Sequence, residues 1–303
     1  DEVINELYEE SMSFQPDMKD VLAAVSPSYL LDNRPERNPA GIPCDQIEAS
    51  YKLIVGRPSL RRYATNSIRD KANIQIAGLA VSPLALADVV LSNDEKELGC
   101  ALIGFGAGVT TLNVYKGGKL VHLSVIPLGS HLITKDITSL HMVESEAERI
   151  KLAYGNAIMD KDNNMNIQIS SADGDGLRDI ELSDLNMIIE ARMKEILENV
   201  YARLEESGAM DSLGAGIIIT GGGAALRNLP SVIQENLKMD VRYSGVRKGI
   251  IVGNETIANY PEYSVVVGLL MQGTENCAGM TATSTSGTTS TTLFPDLEPT
   301  PST

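Results

Sequence analysis

The stretch that most restricts the fold is 215–219, apolar throughout, running straight into Thr220-Gly221-Gly222-Gly223-Ala224. A run that is apolar on both faces predicts a central strand in a sheet covered on both sides. The three glycines predict a sharp turn from that strand into a helix around 225–229. Unhindered backbone and a helix N-terminus would then meet at one place, able to cover an adenosine or a phosphate. An ordinary strand-to-helix turn is the other reading of the same residues.

A second glycine-rich turn lies earlier, in Gly104-Phe105-Gly106-Ala107-Gly108-Val109-Thr110-Thr111. Small residues between two strands let backbone N–H groups approach a phosphate. They equally suit a tight hairpin with glycines at positive φ. The two turns, in this order and separated by a long helix, fit together as halves of one nucleotide cleft, facing each other across a crevice.

Hydrophobic spacing orders the rest. Residues 1–13 predict a short amphipathic helix with Val3, Ile4, Leu7 and Tyr8 on one side. Strands follow in VLAAVSPSYLL and IEASYKLIVG, with a polar turn between them. Pro58-Ser59 opens a helix carrying Leu60, Ala64 and Ile68 on one face, and 74–77 returns to strand. Ser82-Pro83 starts the next helix, and SNDEKE (92–97) reads as a solvated turn. GCALIGF, TTLNVY and KLVHLSVIP predict three successive strands, the last two joined by a Lys116-Gly117-Gly118-Lys119 hairpin. A helix over 143–154 stops at Gly155, a predicted C′ cap. NIQIS and LRDIEL flank the turn ADGDG as a hairpin. Ser183 then caps a long helix whose apolar stripe is Ile189, Met193, Ile196, Leu197, Val200 and Leu204. A strand in MDVRYS and a helix in YSVVVGLLMQ close the ordered part. From about Asn276 the chain is Thr, Ser, Gly and Pro, a composition that cannot bury enough surface to order itself.

Composition removes several function classes. The formal charge is −15 with no long basic run, so clustered phosphate contacts to nucleic acid are excluded, and direct adhesion to anionic lipid is disfavoured. Three scattered cysteines (Cys44, Cys100, Cys277) and three histidines off any HxxxH spacing argue against a disulfide framework or a metal site. No apolar stretch approaches the ~20 residues that span a bilayer. The opening, DEVINELYEE without a Met, reads as the interior of a longer protein.

Several segments, in order, resemble the FtsA family of actin-like cell-division proteins. They are VSPSYLLDN, RNPAGIPCDQIEASYKLIVG, IQIAGLAVSPLA, DEKELGCALIGFGAGVTTLNVYKGGKL, VIPLGSHLITKDI, AERIKLAYGNA, IEARMKEIL and AGIIITGGGAAL. The run from VIPLGS through KLAYG is characteristic of FtsA rather than of actin, Hsp70-type chaperones or sugar kinases. The resemblance covers residues 1 to about 273. It implies an α/β, actin-like (ribonuclease H-like) fold whose N-terminal half is incomplete here. Residues 1–77 would be the relocated, 1C-like subdomain peculiar to FtsA. Residues 78–93 and 255–273 would be remnants of subdomain 1A, 94–137 and 206–254 the nucleotide-binding subdomain 2A, and 138–205 subdomain 2B. Residues 274–303 would begin a disordered linker.

The resemblance also implies ATP, with magnesium, as cofactor. The residues it assigns to the nucleotide are Gly106, Ala107, Gly108, Val109, Thr110, Gly221, Gly222, Gly223 and Ala224, with Glu148 and Arg149, beside Lys151, on the helix bordering the adenine. The family's phosphate loop usually reads Asp-x-Gly-x-Gly-Thr-x-Asp. Here Gly104, Val109 and Thr111 stand at the first acid, the hydroxyl donor and the second acid. A carboxylate offers the hard oxygen magnesium prefers, and glycine offers none. Binding without appreciable hydrolysis is expected, and no residue is assigned a catalytic role.

The implied partners are the C-terminal peptide of FtsZ, further copies of the chain in an actin-like filament, and other division proteins docking through residues 1–77. Membrane contact would come only through an amphipathic helix outside this sequence, at the cytoplasmic face of the division site. Arg192, Lys194 and Glu195 resemble the peptide-receiving stretch, with Arg192 placed to grip a carboxylate bidentately. A solvated face with a Glu190–Lys194 pair is the plain alternative. Two other functions stay open: a chaperone-type ATPase or kinase of the same superfold, and the related actin-like component of pilus assembly, as in PilM.

Overall fold

The computed structural model describes residues 1–72, 74, 76–159, 165–170, 176–253, 257 and 260–273. The chain divides into two compact units, one containing 1–81 and the other spanning 82–270.

In the first unit, helix α1 (Glu2–Met12) accompanies a three-stranded antiparallel sheet. Its strands are β1 (Asp20–Leu31), β2 (Arg34–Glu36) and β3 (Ile47–Gly56), in the order β2-β1-β3. Residues 20–31 and 47–56 pair as their branched and aromatic residues predict, with bulges near Val21 and Val25. The polar turn between them holds the short β2, because Asp32 and Asn33 adopt positive φ and reverse the chain at once. Helix α2 (Pro58–Thr65) starts at the predicted proline, but Leu60 and Ile68 lie exposed, so its spacing does not mark a buried face. The strand expected at 74–77 does not form. Ile74, Ile76 and Ala77 have no ladder partner, and Gln75 lies outside the described residues.

The second unit is built on a five-stranded sheet in the order β10-β9-β4-β5-β6. Strands β4 (Cys100–Phe105), β5 (Thr110–Lys116) and β6 (Lys119–Ile126) form an antiparallel meander. β9 (Ile217–Thr220) and β10 (Val241–Tyr243) lie parallel to β4. Every residue of β4 and β9 is buried, which is why both read as continuous apolar runs. Gly117 and Gly118 both take positive φ and make the tight β5–β6 hairpin.

Helices cover both faces. On one, Ile103, Phe105, Leu112, Val114, Ile217 and Ile219 join a single core with residues of α5 (Ser130–Ile137), α6 (Glu144–Tyr154), α7 (Leu182–Glu206) and α8 (Leu229–Leu237). On the other lies α3 (Ser82–Val90), where Asn113 Nδ2 donates to the Pro83 carbonyl at 2.7 Å. Helix α9 (Ser264–Met271) crosses α3 closely, and a Cβ on Gly268 would sit 2.2 Å from the Ala85 oxygen.

Four local expectations are corrected. Residues 92–97 are not a turn: α4 (Asn93–Leu98) forms because Ser92 Oγ accepts the Glu95 N–H while Glu95 accepts the Ser92 N–H, a reciprocal capping box. Gly155 ends α6 without a left-handed cap. Its φ is −59°, and glycine is needed because a Cβ would lie 2.3 Å from the Lys151 oxygen. Ser183 lies inside α7 and its hydroxyl donates to Glu181, so it does not cap the helix. After β9 the chain makes a 3₁₀ turn (Gly222–Ala225), and α8 starts only at Leu229. The α7 stripe is buried as its spacing predicts, and β7 (Asn166–Ser170) pairs with β8 (Leu177–Glu181), their connecting turn lying outside the described residues.

Candidate functional site: a cleft at the ends of two parallel strands

Strands β4 and β9 run parallel in register, Gly104 opposite Thr220, so both glycine turns leave the sheet at the same edge. They touch. A Cβ on Gly221, whose φ is +91°, would lie 2.5 Å from the Phe105 carbonyl oxygen, and one on Gly223 would lie 3.1 Å from Phe105 Cβ. The turns line one cleft of about 480 Å³, as expected of two halves of a site. They stand side by side, however, and do not face each other across it. The rest of the lining comes from α6, through Glu148, Lys151 and Leu152, from the turn before α9, through Pro261 and Glu262, and from Val265 of α9.

The first turn is held by its own acceptors. Gly106 donates its N–H to the Val109 oxygen at 3.0 Å. The Gly106 and Ala107 carbonyls accept from Ser130 and His131 at 2.9 Å each, capping the start of α5. That close approach requires Gly129, where a Cβ would lie 2.2 Å from the Ala107 oxygen. The Ala107 and Gly108 N–H groups donate to no backbone carbonyl among the described residues.

Of the residues expected at a nucleotide, Gly106, Ala107, Val109, Gly221, Gly222, Gly223 and Glu148 line the cleft. Gly108, Thr110, Ala224 and Arg149 do not. Thr110 is fully buried and donates to the Leu128 oxygen at 2.8 Å, and Ala224 packs into the core. Arg149 forms a two-bond pair with Glu146, out on the helix surface. Its neighbour Lys151 takes the inward place. Only 9 % exposed, it meets Glu148 at 2.8 Å and donates to Thr134 Oγ1 at 2.9 Å and to the Ser130 oxygen at 3.3 Å. Thr134 in turn donates to Glu148. Burial pushes the Glu148 carboxyl up, but the Lys151 and Thr134 hydrogen bonds and the Lys151 charge outweigh it and hold it below the usual carboxylate range.

No local pattern marks Arg227 and Leu226, which reach the cleft because Arg227 donates to the Ala153 oxygen at 2.5 Å and bridges to Asn156. Only the tertiary pairing of the α6 end with the segment after β9 brings them there.

Gly104 and Thr111 are cross-strand partners on the cleft floor. The position of a Gly104 Cβ is already enclosed, 2.7 Å from Thr111 Oγ1 and 2.9 Å from Leu86 Cδ2. The cleft residues therefore do not fit a protein-held magnesium. Its two carboxylates are Glu148, committed to Lys151 and Thr134, and Glu262, beside Gly222, and neither stands on the β4–β5 floor. Among the described residues no three His, Cys, Asp or Glu side chains gather as a metal site.

On α7, Arg192 is already occupied. Its Nε and Nη2 meet the two oxygens of Asp136 at 2.5 and 3.1 Å, and its Nη1 meets Glu195. Arg192 and Glu195 line a shallow groove with Lys135, Asp136, Ile188 and Ala191, whereas Lys194 lies outside it. Glu190 accepts the Met159 N–H at 2.6 Å.

Residues 101–268, which hold both glycine turns and most of the cleft lining, match the family model described as Cell division protein FtsA. The chain belongs to the FtsA family. FtsA of Porphyromonas gingivalis is 33 % identical over 259 residues, covering 86 % of this chain and 54 % of that protein. FtsA of Bacillus subtilis is 33 % identical over 264 residues, covering 84 % and 57 %, and FtsA of Escherichia coli is 30 % identical over 268, covering 84 % and 63 %. This FtsA-family chain thus spans little more than half the length of these relatives. Among solved structures it resembles MreB5 of Spiroplasma citri bound to ADP (TM-score 0.54, 15 % identity, 81 % of this chain and 87 % of that one). It also resembles a PilM–PilN type IV pilus biogenesis complex (TM-score 0.54, 17 % identity, 91 % and 72 %). At these identities the likeness is one of fold, and the fold is actin-like.

Proposed function

We propose that this chain is the nucleotide-binding part of an actin-like cell-division adaptor. The observation that carries this reading is the placement of Gly106 and Gly221–Gly223 at one sheet edge, lining one cleft beside the buried Lys151. Backbone free of side chains suits phosphates, and an apolar wall of Leu152, Leu226 and Val265 suits a purine face. The MreB5 relative in fold was solved with ADP, and ATP is the cofactor proposed here. With Gly104 and Thr111 on the floor, the cleft holds the nucleotide as an organising ligand and turns it over negligibly.

The adaptor reading extends to four subdomains with the boundaries given above, to self-assembly, and to a place at the cytoplasmic face of the division site. Other division proteins would dock through residues 1–77. The FtsZ C-terminal peptide would dock along α7, in the groove beside Asp136 and Arg192, with Lys194 contributing long-range attraction at its rim. Calorimetric titration of the chain with ATP tests the central claim. Saturable binding that Gly106→Val removes is expected, and absence of heat with ATP and ADP alike overturns it. Co-sedimentation with FtsZ, set against pilus-assembly proteins, separates the division role from the pilus role.

A further inference from the structure

We propose that the cleft takes its nucleoside phosphate without a bridging divalent cation, because the floor under the phosphates presents a hydroxyl donor where a cation site needs carboxylates. This rests on the nucleotide assignment above. Cross-strand partners Gly104 and Thr111 lie where β4 and β5 meet the first glycine turn. Thr111 Oγ1 stands 2.7 Å from where a Gly104 Cβ would be, so the hydroxyl covers the glycine and both line the cleft. The register partner on the other side of Gly104 is Thr220, again an uncharged residue. Three adjacent strand positions at this edge thus carry no negative charge.

The consequence is electrostatic. A floor bearing carboxylates repels phosphate oxygens, and a divalent cation must sit between the two anions to hold them together. A floor of hydroxyl and backbone removes that repulsion. Thr111 can turn its O–H toward an anionic oxygen, and the N–H of Ala107, which lines the cleft and donates to no backbone carbonyl among the described residues, lies in the turn that opens from the same strands. The Lys151 ammonium also lines the cleft, at the α6 wall, where it is paired with Glu148. The two carboxylates at the cleft do not rebuild a cation site on this floor, since Glu148 is bonded to Lys151 and Thr134, and Glu262, beside Gly222, stands on neither β4 nor β5.

The test is binding of a fluorescent ADP analogue to the 303-residue chain with magnesium and with excess EDTA. Dissociation constants agreeing within about twofold are expected, as for any ligand whose binding is not linked to the ion. A loss of about tenfold or more in EDTA overturns the inference while leaving nucleotide binding standing. No binding in either buffer overturns the nucleotide assignment and this inference with it. Thr111→Val keeps the shape and removes the hydroxyl, and should weaken binding in EDTA by about tenfold, the scale of a hydrogen bond to a charged group. Unchanged affinity in that variant removes Thr111 from the phosphate floor. Gly104→Asp combined with Thr111→Ala and Leu86→Ala, which remove both atoms crowding a Gly104 Cβ, should make binding depend on magnesium.

Discussion

Gly221 packs against the carbonyl of Phe105 so closely that the two glycine turns of the cleft form one continuous backbone surface. The contact exists because β4 and β9 are parallel neighbours and leave the sheet together. It brings Gly223 close to Phe105 as well, where a glycine-replacing Cβ would lie 3.1 Å from Phe105 Cβ, so both turns line the same cleft.

Gly221→Ala should therefore damage both fold and binding. Its φ of +91° disfavours any side chain, and the new Cβ would collide with the Phe105 oxygen at 2.5 Å. A stability loss of about 2 kcal/mol or more is expected, with loss of nucleotide affinity. Urea unfolding monitored by circular dichroism, beside nucleotide titration, measures both. Wild-type stability would mean that the two turns can separate without cost.

Glu148 should make stability depend on pH in the acidic range. Its folded pKa lies below the ordinary value of 4.5, so its ion-paired form stabilises the folded state above that pH. The contribution disappears as pH falls from about 4.5 through the lower folded value. Thermal unfolding of the wild type and Glu148→Gln should differ at neutral pH and converge in acid. Glu148 is partly exposed, so the neutral-pH gap is small, of the order of 1 kcal/mol or less. Curves that stay parallel to the acid limit would contradict the pairing with Lys151.

Arg192 and Asp136 tie α7 to α5 by a two-bond ion pair. Arg192→Glu would set a carboxylate against Asp136 and Glu195, so it should lower the melting temperature as well as disturb any peptide bound in the groove. A double-mutant cycle through Arg192→Ala and Asp136→Ala should give a coupling of about 0.5–1 kcal/mol. Additive single effects would show the pair to be idle in solution.

Ser92→Ala removes one half of the capping box of α4 and should cost about 1 kcal/mol. Glu95, the other half, also accepts from Arg242 of β10 at 2.6 Å, so Glu95→Ala should cost more than the serine change. Chemical denaturation of the two variants ranks them, and equal losses would assign no stability to the Arg242 bond.

Much of this was legible in the chain. The Gly117-Gly118 hairpin, the 12-residue β1 and the α7 stripe follow from turn chemistry and period alone, because each depends on residues close in sequence. The Ser92–Glu95 box was also written there, as S-x-x-E, but the surrounding charges resemble a solvated turn. Leu60 and Ile68 mislead in the other direction, since helical spacing states which residues share a side and not whether anything covers it. Arg149 and Lys151 are two residues apart on α6 and so point to different sides; no local rule says which side the cleft occupies.

The sequence alone determined most strands and helices, segments 74–77, 92–97 and 225–229 excepted, and that two turns carry bare backbone, since glycine content and apolar period are properties of neighbouring residues. Only the tertiary structure decided that these turns stand side by side, that Lys151 faces inward, and that Arg192 is already held by Asp136. Those outcomes depend on which strands pair and which helices cross, and pairings between residues 50 to 120 apart leave no trace in local spacing.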